Sequence, residues 1–132
     1  MSLLRRALGA GALVSLLLCA PMVAIPRTLV EGSMGQAPGG DVVWVRLFGT
    51  AIFALGLVHV LILRKLDELW WWCWAFVVFD GAAAAIALSH AAIGLPDGSA
   101  AWPWWVFGGI TATFTVVYLA GLAKAGQEKP FA

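Results

Sequence analysis

Asp80 stands near the middle of a long apolar run, residues 69–95. An ionisable side chain at bilayer depth costs roughly 2.5–3.5 kcal/mol on insertion scales, so it is normally paired and turned toward protein rather than lipid. A carboxylate there can carry a proton, bind a cation or orient a polar head group. Depth along the chain picks its candidate partners. Reflecting the sequence through the turn near Gly98 puts Asp80 level with Thr115, and Ser15 falls near the centre of the first apolar segment. Arg46 lies about 10 Å higher. Its long side chain either bends inward to Asp80 or snorkels outward to the interface. Asp80, Thr115, Ser15 and Arg46 therefore make one candidate buried polar site. The plainer alternative is a hydrogen bond or ion pair that only fastens the helix carrying Asp80.

A second constellation gathers at the rim above it: His90 with Trp102, Trp104 and Trp105, flanked by Arg46, Asp97, Asp41 and Glu31. A basic and aromatic rim can receive an anionic lipid head. Ordinary interfacial anchoring also accounts for it, because Trp belongs at headgroup level. His59 stands on a face shared with Gly49, Ile52 and Gly56 and reads as a hydrogen-bonded core residue. His59 and His90 sit roughly 20 Å or more apart in depth, so they cannot share a metal or haem. Cys19 and Cys73 also differ in depth by more than about 10 Å, whereas a disulfide needs Cα atoms within roughly 7 Å. No GxSxG, HExxH or P-loop appears. No two carboxylates share a depth inside the bundle, which disfavours paired acid/base hydrolysis. No catalytic residue, cofactor or metal site is expected.

The elements that must hold these residues follow from composition. The 132 residues are 62% hydrophobic and 11% charged, against about 25% charged in soluble domains. So small a chain cannot hide that much apolar surface from water, and lipid must be its solvent. A net charge of +1 argues against nucleic-acid binding, which needs a basic patch. Each membrane crossing takes about 20 apolar residues as a helix. Four segments qualify, at approximately 7–25, 42–64, 69–94 and 101–123. The spacing predicts an all-α, polytopic membrane protein: a four-transmembrane-helix antiparallel bundle forming a single integral membrane domain over residues 1–132.

Segment 7–25 follows Arg5 and Arg6 and so has the basic start of a signal peptide. A cut after Ala24 would put Met22 where a small residue belongs, and Leu18 precedes Cys19 where a lipoprotein signal wants Gly or Ala. A retained helix is the expectation. The stretch 26–41 is rich in Gly and Pro and reads as a turn or mobile loop. The link 64–68 is a tight turn that makes helices 2 and 3 an antiparallel hairpin. Pro96, Asp97 and Gly98 have turn chemistry. On helix 3, Asp80 shares a stripe with Cys73, Phe76, Ala84, Ala87 and Ala91. On helix 4, Gly108, Thr111, Thr115 and Tyr118 share a face. On helix 2, Arg46, Thr50, Phe53 and Leu57 lie on a face rotated away from that of His59. Small residues permit close helix approach in lipid, so the Asp80 stripe is expected to be buried.

Three stretches resemble a known family. They are Arg46-Leu-Phe-Gly-Thr with Ala54-Leu-Gly-Leu-Val-His59, the basic pair Arg64-Lys65, and Asp80-Gly81 within helix 3. Over roughly residues 42–123 the chain resembles the small four-helix bacterial membrane proteins grouped as DoxX-like. Some of those accompany quinone-linked oxidoreductases as membrane subunits. The resemblance implies an accessory role and transfers no catalytic motif.

The reading that follows is a small non-enzymatic inner-membrane protein, either an accessory subunit or a binder of a lipophilic molecule between its helices. The alternatives are an oligomeric transporter or proton-coupled carrier using Asp80, and a membrane enzyme acting on a lipid-like substrate. Expected partners are membrane lipid and either a second copy of the chain or a larger membrane complex. Lys and Arg concentrate in the short cytoplasmic loops of membrane proteins. Arg5, Arg6, Arg64, Lys65, Lys124 and Lys129 fall on one side, which puts both termini in the cytoplasm. An impermeant thiol reagent added to intact cells should then label Ser33→Cys and Ser99→Cys in a cysteine-free background, and leave Ser2→Cys untouched. The opposite labelling pattern would reverse the orientation.

Overall fold

A single segment crossing lipid must satisfy its own backbone, and a helix does this within one stretch of chain. The computed structural model describes residues 1–36 and 41–128. It carries four long helices: α1 (Ser2–Ala24), α2 (Val43–Arg64), α3 (Leu66–Ile93) and α4 (Trp102–Glu128). Their 23, 22, 28 and 27 residues are long and apolar enough to cross a membrane. At about 1.5 Å per residue, even the shortest exceeds the roughly 30 Å of a hydrocarbon core. No strand occurs among the described residues.

Several boundaries differ from the sequence expectation. α1 begins at Ser2 rather than residue 7, α3 at Leu66 rather than 69, and α4 runs to Glu128 rather than 123. The added turns carry Arg5, Arg6, Asp67, Glu68 and Lys124. Apolar counting misses such turns, although charged residues extend helices readily beyond the hydrocarbon. The link between α2 and α3 shrinks to Lys65, whose N–H caps α2 on the carbonyls of Leu61 and Ile62. α3 opens with one α-helical turn at Leu66–Leu69, tightens to a 3₁₀ turn at Trp70–Trp72 and continues as α-helix from Cys73.

The expected loop after α1 is partly helical. Ile25 precedes Pro26, whose ring disfavours the helical region for the residue before it. Ile25 accordingly sits at φ −131°, ψ 51°, and α1 stops. The chain then winds into a π-helical segment, Thr28–Ser33. The rest of the expected loop at 37–40, like Lys129 in the basic set, lies outside the described residues. Gly35 (φ +61°) and Gly98 (φ +82°) occupy the left-handed region that favours glycine. The Gly98 turn closes with the Ser99 N–H donating to the Pro96 carbonyl at 3.1 Å.

The helices alternate in direction, but not every neighbouring pair packs closely. α1 lies along α2, α3 lies along α4, and α1 also meets α4. The turn between helices 2 and 3 is tight, as expected, but α2 and α3 approach along little of their length, so the hairpin has a loose seam. Residue size explains the difference. A Cβ at Gly49 would lie 2.7 Å from Met22, and one at Gly56 would lie 3.2 Å from Leu16 and 3.3 Å from Ser15. These glycines let α1 and α2 close together. The N-terminal ammonium of Met1 reaches Glu128 Oε2 at 2.7 Å, so α1 begins and α4 ends at the same end of the bundle.

On α2, Gly49, Ile52, Gly56 and His59 are buried, while Arg46, Thr50, Phe53 and Leu57 are exposed. On α3, Cys73, Phe76, Ala84 and Ala87 are buried. Ala87 and Ala84 are 1% and 6% exposed, against α4. Ala87→Leu should therefore lower the melting temperature in detergent, by an overpacking cost of about 1–3 kcal/mol. Ala82→Leu, on the exposed side of the same helix, should leave it unchanged. Equal melting temperatures for the two variants would contradict this packing.

Candidate functional site

Midway along the bundle the four helices line a small, partly open chamber of about 60 Å³. Its walls are mostly apolar, with Phe79, Phe107 and Phe114 among them. Four polar side chains interrupt them: Ser15 from α1, His59 from α2, Asp80 from α3 and Thr111 from α4. Each helix contributes one.

One end of the chamber rests on an aromatic layer. The His59 ring stacks on Phe76 with centroids 3.7 Å apart and planes 19° apart. Phe76 lies 5.5 Å from Tyr118, which is 6.0 Å from Phe114. Tyr118 is fully buried. Its hydroxyl donates to the Ala7 carbonyl of α1 at 3.3 Å. His59 Nδ1 faces the Leu55 carbonyl at 2.7 Å. Gly11 makes this layer fit, because a Cβ there would fall 2.6 Å from both His59 Nε2 and the Tyr118 oxygen.

The residues singled out from sequence divide clearly. Ser15 and Asp80 share the chamber. Thr115 is not on its wall: its hydroxyl donates to the Thr111 carbonyl at 2.9 Å, and its side chain covers Gly81. Arg46 is exposed, on the α2 face pointing out of the bundle. Among the described residues, no ion pair joins it to Asp80 and nothing hydrogen-bonds to the Asp80 carboxyl. The geometry thus replaces Thr115 and Arg46 with Thr111 and His59. The sequence held a signal for both. Thr111 lies one turn from Thr115 on the same face, and His59 continues the Gly49–Gly56 face toward the bundle axis.

The far end of the bundle carries the second constellation. His90 meets Trp104 edge-on, with centroids 4.7 Å apart and planes at 78°. The Trp104 indole N–H donates to Gln36 Oε1 at 3.0 Å. Gln36 Nε2 in turn donates to the carbonyls of Ala100 and Met34, each at 3.0 Å. The Ala100 N–H adds a bond to the Gly35 carbonyl at 2.8 Å. Trp102 and Trp105 turn outward, 56% and 51% exposed, as interfacial anchors do. Gln36 was not anticipated. Its amide ties the segment after α1 to the start of α4, and nothing in its local sequence marks that role.

No three His, Cys, Asp or Glu side chains gather among the described residues. The chain matches no protein-family model. No curated protein and no solved structure matches it at a significant level. The site is therefore read from its own geometry. Gly11→Ala would push a methyl group into His59 and Tyr118, and should destabilise the fold by about 1–3 kcal/mol. Gly9→Ala, with nothing within 4 Å of the new carbon, should not. Thermal unfolding of the two variants side by side checks this, and a harmless Gly11→Ala would contradict the aromatic layer.

Proposed function

We propose that this chain is a small, non-enzymatic membrane protein that holds the polar head of a lipophilic molecule between its four helices. The observation that carries this reading is the chamber, with one polar side chain from each helix set in an otherwise apolar wall. Ligand sites take this form, with apolar lining and a few convergent polar groups. Asp80 supports it further, because an intramembrane acid, here with no hydrogen bond or ion pair among the described residues, is a functional-site hypothesis by default.

Size limits what enters. A cavity of roughly 150 Å³ accommodates a benzene ring. One of about 60 Å³ takes a head group and its first carbons but not a ring. The rest of the molecule stays among the phenylalanines or in the bilayer. The loose seam between α2 and α3, with Leu55 and Phe79 on its two sides, is the route in from lipid. The resemblance of residues 42–123 to DoxX-like proteins adds a setting. It suggests a bacterial inner membrane and an accessory place beside a quinone-linked oxidoreductase, while the Lys and Arg distribution supports cytoplasmic termini and the small-residue helix faces support a homo-oligomer.

A second reading rests on His59 and Asp80 lining one chamber: two titratable groups suit a proton-coupled carrier working as an oligomer. Native mass spectrometry of the protein released from membranes separates the two. On the first reading the wild type carries a stoichiometric lipophile, and Asp80→Leu, folded by its melting curve, loses it. A wild type that carries none, yet conducts protons in liposomes until Asp80→Asn stops it, would select the carrier instead.

A further inference from the structure

The hydrogen-bonding inventory of the chamber restricts the head group it accepts; this step rests on the binding reading above. Most donors near the wall are already committed to backbone carbonyls. His59 Nδ1 lies 2.7 Å from the Leu55 oxygen. A carbonyl only accepts, so the ring proton sits on Nδ1, and in the neutral ring Nε2 is a bare acceptor. That Nε2 edge faces Gly11, itself part of the chamber wall. The Thr111 hydroxyl donates to the Phe107 carbonyl at 2.9 Å and lies 3.2 Å from the Gly108 carbonyl, which leaves its oxygen to accept. The Asp80 carboxyl offers two acceptor oxygens when ionised and still one when protonated. Ser15 is the one wall hydroxyl whose proton no carbonyl holds among the described residues. Acceptors outnumber free donors in either state of Asp80.

We infer that the chamber selects a lipophile whose head has protons to give, a primary alcohol or a primary ammonium, over one that only accepts. A hydroxyl or ammonium placed between Asp80 and His59 Nε2 satisfies both. An ether or ketone oxygen between the ionised Asp80 carboxylate and His59 Nε2 sets acceptor against acceptor, with the Ser15 hydroxyl as the one wall donor left to meet it, and buried polar groups left unpaired are costly. The preference is set by geometry that no apolar tail can supply, so it should persist at constant tail length.

Three probes of ten carbons each test this on the full chain in lipid nanodiscs: n-decanol, n-decylamine and methyl nonyl ether, the last an isomer of the first. Binding is read as a saturable rise in melting temperature. The alcohol and the amine should bind at least about tenfold more tightly than the ether. In His59→Phe, which keeps the stack on Phe76, and in Asp80→Leu the preference should fall to within about threefold. If one variant fails to fold, the other carries the comparison. Equal affinity for ether and alcohol in the wild type overturns the donor rule and leaves lipophile binding standing. Saturable binding of none of the three overturns lipophile binding, and the donor rule with it.

Discussion

The stack of His59 on Phe76, wedged against Gly11 and Tyr118, is the contact on which the rest of the structure depends. Lipid tails are as apolar as leucine, so hydrophobic burial does not draw helices together within a bilayer. Close packing and interhelical hydrogen bonds must do it. Here α1, α2, α3 and α4 supply Gly11, His59, Phe76 and Tyr118 to one layer. Aromatic pairs contribute about 0.5–1.5 kcal/mol each beyond their area. A hydrogen bond between helices, such as Tyr118 to Ala7, adds about 0.6 kcal/mol on average. Each term is modest, but all four helices contribute to this one layer. That also fixes where α2 and α3, which touch little elsewhere, are held in register.

The chamber is a consequence of that layer. The glycine face of α2 is used up against α1, and the small residues of α3 are used up against α4. Neither helix keeps a small-residue face for the other, so the seam between them stays loose. The aromatic layer sets their separation, and Asp80, one turn beyond Phe76, faces the space that remains. Fold and site are thus one arrangement. The spacing of small residues that brings the helices together also decides where they cannot close.

Much of this was legible in the sequence. The four apolar segments and the Gly49–Ile52–Gly56–His59 face depend only on helical periodicity and residue type, which act locally. The Asp80 stripe with Cys73, Phe76, Ala84 and Ala87 follows from the same rule. What periodicity cannot give is azimuth between helices. Thr115 was matched to Asp80 by depth alone, yet its hydroxyl returns to its own helix and Thr111 takes the wall position. Arg46 was considered for its charge, although its phase with Thr50, Phe53 and Leu57 already pointed it outward. His59 read as a core residue, which it is, but burial did not reveal that its second nitrogen borders a cavity. The Gln36 clasp joins residues 64 and 68 apart. Such a contact depends on how two loops meet at one end of the bundle, which no local pattern encodes.

The four helices converge on His59, with its Nδ1 proton on the Leu55 carbonyl and Nε2 bare toward the chamber. The chain has only two histidines, so solid-state nitrogen NMR of histidine-labelled protein in lipid bilayers reads this ring with little overlap. One imidazole should be protonated at Nδ1 and unprotonated at Nε2, with through-space correlations to Phe76, Tyr118 and Gly11. A His59 ring protonated at Nε2 alone, or one correlated to lipid acyl chains instead of those residues, would contradict it.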